Sequence, residues 1–176
     1  TSLLAIHTLP CDAQQDVHLA MGLRVGEVTQ TSAIVWSRVT AQPKRLWPGE
    51  RRVGRAGKKT AEYTDNIQVD KLEGATPGTP GQLRLFWTEK NDYSKLQTTP
   101  WIRVEEKTDF SHQFTLSGLK PATRYYLIIK ARPNGNPSTS ATAEIRGSFM
   151  TPAPANTWQD ARFAVITGQA YRDLDD

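Results

Sequence analysis

The densest group of chemically competent side chains is Lys44, Arg45, Arg51, Arg52, Arg55, Lys58 and Lys59, seven cations against the single acid Glu50. The segment carries +6 while the 176-residue chain carries +4, which leaves −2 for everything else. Clustered cations attract phosphates and acidic surfaces, so the segment reads either as a solvated loop or as a patch facing a polyanion or an acidic partner. Within it, Arg51, Arg52, Arg55, Lys58 and Lys59 are the candidates for anion or interdomain contact. No aromatic residue is regularly interleaved with them, as a stacking platform for single-stranded nucleic acid requires. Nucleic acid is therefore not an expected partner.

Other chemistry has less support. His7, His18 and His112 show no metal-ligand spacing, and they read as surface or strand-packing residues. Cys11 is the single cysteine, so no intrachain disulfide forms. Pro10 stands where a lipoprotein cleavage box wants a small residue. No nucleophile elbow or phosphate loop is present. Asp173, Asp175 and Asp176 read as solvated acids rather than ligands. No catalytic residue, cofactor or metal ligand is expected within these residues. No apolar run approaches the eighteen or so residues of a bilayer span, so no transmembrane segment is expected.

The elements that must position the cations read as strands. Residues 1–16 form a leader whose apolar Ser2 to Ile6 is either the tail of a trimmed signal or a short helix. Val17 to Val28 reads as an extended strand containing Gly22 and Gly26, Thr29 to Thr31 as a turn, and Ser32 to Arg38 as a β-rich strand. The two-residue period puts Ile34 and Trp36 on one face, and Trp36 is expected in the core. Residues 39–81 hold the basic segment and the run Gly74 to Gly81, punctuated by glycine and proline. They read as an insertion with a little local structure, for example a strand near Asn66 to Val69.

Further strands are expected at Leu83–Thr88, Trp101–Glu105, Ser111–Leu116, Tyr125–Ala131 and Ala141–Phe149. Between two of them, Leu119-Lys120-Pro121 followed by Tyr125 has the form of a tyrosine corner, in which one phenol packs and also closes the turn's hydrogen bonding. Tyr125, Leu127, Ile129 and Ala131 should then face inward. Tyr126 and Ile128, like Ala33 and Val35, leave the other faces more apolar than solvation needs, either as ordinary surface or because something packs there. Seven short strands without helical periodicity give an all-β, antiparallel two-sheet sandwich, fibronectin type III or immunoglobulin-like, over 17–150 with a long insertion at 39–81. Residues 151–160 read as a proline-stiffened linker, and 161–176 as the first strand of a truncated second domain.

Several stretches together resemble the N-terminal domain of the alkaline phosphatase D family of metallophosphatases. They are Gly22 to Thr29 running into Thr31 to Arg38, the corner Leu119 to Tyr126, the closing Gly147 to Pro152, and the fresh start Arg162 to Val165. The resemblance implies a non-catalytic sandwich preceding a two-metal phosphatase or phosphodiesterase domain, in a periplasmic or extracellular setting. Divalent or trivalent metal ions would belong to that absent catalytic domain, which would be this domain's partner, with phosphate esters as the parent's substrates. Where the family has a cysteine before glutamine, this chain has Thr167-Gly168-Gln169, and Gly168 has no side chain to ligate a metal. The competing expectation is an extracellular fibronectin-type binding or adhesion module that uses the 39–81 loop for recognition.

Overall fold

The computed structural model describes residues 16–49, 68–135, 140–158, 160 and 164–165. Eight strands run in order as β1 (Leu23–Gly26), β2 (Ser32–Arg38), β3 (Gly81–Thr88), β4 (Gln97–Thr98), β5 (Ile102–Val104), β6 (Ser111–Ser117), β7 (Arg124–Pro133) and β8 (Ala143–Met150). They form two antiparallel sheets, β1-β2-β6 and β4-β3-β7-β8, with β5 pairing the same edge of β3 as β4 does. The expected sandwich is present. The core lies between the sheets and is built from Leu83, Leu85, Leu127, Ile129 and Ala131 on one side and Ala33, Val35, Phe114 and Leu116 on the other.

The inner face of β7 is as the two-residue period requires, with Tyr125, Leu127, Ile129 and Ala131 all buried. In β2 the opposite parity holds. Ala33, Val35 and Ser37 are buried, while Ile34 and Trp36 alternate with them on the outer face. Trp36 is thus not a core residue; there it stands between its cross-strand partners Arg24 and Gln113. Both faces of Ser32–Arg38 are apolar, so hydrophobicity alone does not choose between them, and a one-residue slip exchanges them. The choice is made by β6, whose Phe114 and Leu116 pair with Val35 and Ala33, and by the buried Ser37 hydroxyl, which donates to the Gly22 carbonyl at 2.8 Å. The tryptophan that packs against the core is Trp87.

The long first strand is also shorter than expected. Gly22 has φ +72, in the left-handed region that glycine tolerates, and it separates β1 from an upstream stretch in which His18 bridges Thr40. In the second limb of the insertion, Val69–Lys71 is a 3-10 turn rather than a strand, and Asn66 and Ile67 lie outside the described residues. The strand expected at Arg162 to Thr167 lies largely outside them as well.

Two poles organise the sandwich. At one, the Thr142 hydroxyl bonds both the N–H and the carbonyl of Val17, at 3.3 and 3.2 Å, and the insertion leaves β2 and returns to β3. At the other pole lies the corner. The Lys120 N–H donates to the Tyr125 hydroxyl at 2.8 Å, Tyr125 stacks on Phe149 with ring centroids 5.6 Å apart, and the Leu119 N–H reaches Thr31 O at 2.9 Å.

The chain after β8 is fastened to that corner. The buried Thr151 hydroxyl donates to Lys120 O at 2.6 Å and accepts from Thr123 N–H at 3.0 Å. The Ala122 N–H in turn donates to Pro152 O at 3.0 Å. At about 3.4 Å per residue, the ten residues of β7 separate the two poles by roughly 30 Å.

Candidate functional site

The five cations singled out in the sequence, Arg51, Arg52, Arg55, Lys58 and Lys59, lie outside the described residues, and the stems that carry them lie within. The two limbs run side by side, with Ala41 N–H donating to Pro77 O at 2.8 Å, Leu46 N–H to Ala75 O at 2.7 Å and Gly74 N–H to Leu46 O at 2.9 Å. Gly49 lies so close to the Glu73 backbone that an added Cβ would fall 2.6 Å from it.

Arg38, at the end of β2, fastens the returning limb. Its guanidinium pairs with the Asp109 carboxylate at 2.9 Å, donates to Asp109 O at 3.0 Å and to Thr76 O, and lies over the Phe110 ring at 5.8 Å. Gly78 packs against that same ring, where a Cβ would collide with it. The insertion is thus pinned to the pole opposite the corner.

A second cationic surface is assembled by the fold. The outward positions of β3, β5, β7 and β8 carry Arg84, Arg103, Arg124, Lys130, Arg132 and Arg146, with Glu144 as the one acid. Aromatic rings lie among them. Arg84 lies 5.1 Å from the Phe86 centroid, Arg132 lies 4.3 Å from that of Trp101, and Arg146 lies 4.7 Å from that of Tyr93, which meets Tyr126 edge-on at 5.9 Å. The Arg84 Nε donates to Thr98 Oγ1 at 2.9 Å and to Thr99 O at 2.8 Å, and the Arg132 Nε donates to Gln82 Oε1 at 2.8 Å.

Glu144 takes Arg146 at 2.8 Å and Lys130 at 3.2 Å; the hydrogen bond from Arg146 is the main cause holding its carboxyl below the usual range. On this outward face Ile128 is buried, at 4% exposure. The apolar excess expected at Tyr126 and Ile128 is therefore real, and the sheet's own cation–aromatic layer lies over it. Linear sequence reasoning missed this surface because its cations sit at alternate positions of four strands. The usable signal was the charge at Arg84, Lys130, Arg132 and Arg146 alternating with core residues.

Elsewhere the side chains offer little chemistry. Among the described residues no three of the His, Cys, Asp and Glu side chains converge as a metal site. His112 meets Phe114 edge-on at 4.6 Å, and burial pushes its pKa below the ordinary imidazole value. Protonating it therefore costs folded-state stability. The contribution is absent above the unfolded value near 6.5 and grows as the pH falls through it towards the folded value. His112→Gln should flatten that part of the profile, so that the change in urea midpoint between pH 7.5 and pH 5 is smaller for the variant than for the native chain; equal changes would mean that the imidazole titrates as if exposed.

The three- and five-stranded sheets and the tyrosine corner define a fibronectin type III-like β-sandwich domain. Its sequence matches the PhoD-like phosphatase N-terminal domain family over residues 7–152. The chain belongs to that family. Among solved structures, one described as the structure of PhoD superposes with a TM-score of 0.51 at 14% identity, covering 85% of this chain and 22% of that one. The chain thus spans about a fifth of that structure. A fibronectin type III domain derived from the human KIAA0970 protein aligns at 10% identity and a TM-score of 0.44, covering 88% of this chain and 87% of that one. No curated protein matches significantly.

Proposed function

We propose that this chain is the non-catalytic N-terminal domain of a secreted or periplasmic, metal-dependent phosphatase or phosphodiesterase. The observation that carries the reading is the family match over residues 7–152. In this reading a downstream catalytic domain holds the metal ions and takes phosphate esters as substrates. A pair of cations there would supply a clamp on phosphoryl oxygens and an activated water. The described residues of this chain bring no three His, Cys, Asp or Glu side chains together to hold such a pair.

Two structural features bear on what the sandwich does for its parent. Thr151 and Pro152 are bonded to the corner, so chain that follows departs from a fixed point on the sandwich rather than from a loose tether. The stems of the basic insertion stand at the other pole, while Arg51, Arg52, Arg55, Lys58 and Lys59 lie outside the described residues. A downstream domain reaches those stems only by lying back along the length of the sandwich. An extracellular fibronectin-type binding module is the second reading, and that polar position of the insertion favours it.

The continuation of the reading frame separates the two. Aspartate, asparagine and histidine clusters within roughly two hundred further residues, about the size of a domain, are expected for a phosphatase. Repeated sandwich domains in their place would establish the binding module.

A further inference from the structure

The turn that joins β7 to β8 opens with Asn134-Gly135, the one Asn-Gly pair in the chain. The other four asparagines are followed by Ile67, Asp92, Pro137 and Thr157. An asparagine side chain closes on the backbone nitrogen of the next residue through a five-membered ring, so the next side chain governs access to that nitrogen. Isoleucine, aspartate and threonine crowd it, and the nitrogen of proline has no hydrogen to lose. Glycine does neither.

The structure adds three observations to the pair. Gly135 lies at φ +139, a backbone conformation that glycine alone adopts without strain, so the turn itself imposes the residue that leaves the nitrogen open. Gly135 is exposed, and apart from its chain neighbours nothing lies within 4 Å of where a Cβ would stand. Among the described residues its N–H donates to no backbone carbonyl. The Asn134 Oδ1 is shielded from solvent and is the one buried side-chain polar atom among the described residues without a hydrogen-bond partner, where such groups are as a rule paired. A side-chain amide fixed by hydrogen bonds resists the rotation that brings Cγ to the next nitrogen. Here neither the amide oxygen nor the attacking nitrogen is held in that way.

We propose that Asn134 is a modification site, deamidated through a cyclic imide while the domain stays folded. The Gly135 nitrogen gives its proton to hydroxide or water and attacks Asn134 Cγ. The new C–N bond closes the ring, the bond from Cγ to Nδ2 breaks, and the departing nitrogen takes up a proton and leaves as ammonia. Water then opens the ring. Breaking the new bond to Cγ leaves aspartate; breaking the original peptide bond leaves isoaspartate, whose backbone runs through Cβ and Cγ. Water is the only co-reactant. Either product sets a negative charge beside Pro133, which pairs with Gly81 at the start of β3. Isoaspartate also adds a backbone atom to the turn that leads to Thr142, whose hydroxyl holds Val17. The site stands independently of the phosphatase reading.

The test incubates the folded 176-residue chain at mildly alkaline pH beside a synthetic peptide of residues 131–138, with mass-spectrometric peptide mapping and enzymatic methyl labelling of isoaspartate. Asn134 should convert in the folded chain at a rate within about tenfold of the peptide's, faster as the pH rises. Isoaspartate and aspartate should form together, while Asn91 and Asn156 stay amides. Gly135→Ala should slow conversion by about tenfold or more. Asn134→Gln, whose ring would need a sixth member, should lose the label from this turn, and it keeps the test standing where alanine at 135 does not fold. The proposal is overturned if Asn134 in the folded chain converts more slowly than that or only in urea. Aspartate as the sole product, which would mean direct hydrolysis, or equal conversion of Asn91, Asn134 and Asn156 would overturn it as well.

Discussion

Leu127→Ala is expected to lower the unfolding free energy by about 2–5 kcal/mol, the range for emptying a fully packed aliphatic site. Leu127 is 0% exposed and pairs Trp87 on β3 and Gly147 on β8. Gly147 leaves room there for Leu23 of the other sheet; a Cβ at that position would lie 2.9 Å from Leu23 Cδ1. Trp36→Ala, a larger truncation, should cost well under half as much, because Trp36 lies on the outward face of β2. Guanidinium unfolding of the two variants gives the comparison. A cost for Trp36→Ala equal to that of Leu127→Ala would return the tryptophan to the core and reverse the parity of β2.

Tyr125→Phe should cost about 1–3 kcal/mol, the penalty for leaving a shielded backbone donor without its acceptor. The ring keeps its stacking on Phe149, and only the bond from Lys120 N–H is lost. The neighbouring bonds that hold Thr151 and Pro152 involve Lys120 O, Thr123 and Ala122, so faster amide exchange at Ala122, Thr123 and Thr151 should accompany the loss of stability. A change near zero in both would mean that the hydroxyl does not close the turn.

The fold was legible from local pattern wherever one face of a strand is much more apolar than the other. In β7 the inner positions Tyr125, Leu127, Ile129 and Ala131 are all apolar or aromatic while three of the five that alternate with them, Arg124, Lys130 and Arg132, are charged, and the corner residues announce its start. β2 was legible as a strand and not in its parity, because Ile34 and Trp36 are as apolar as Ala33 and Val35 and the decision belongs to β6. The break at Gly22 follows from a left-handed backbone, which composition signals as a bulge or an edge without locating it. Of the surfaces, the insertion was visible because its cations cluster within one stretch of sequence, Lys44 to Lys59. The cation–aromatic face was not, because Arg84, Trp101, Arg132 and Arg146 meet only through strand pairing.

The polar arrangement also changes the weight of the two charged regions. The stems of the insertion stand roughly 30 Å, the length of β7 at about 3.4 Å per residue, from the point where the chain leaves the corner. The cationic face runs along that whole length, from Arg132 near the insertion to Arg124 beside Met150.

The reading of this domain as an accessory to phosphoester chemistry is tested most directly by assaying the purified 176-residue chain with chromogenic phosphate mono- and diesters in the presence of calcium, zinc, manganese or iron. The account predicts rates no higher than those of metal and buffer alone. Hydrolysis that follows the chain through repeated purification and is abolished by a chelator would contradict it.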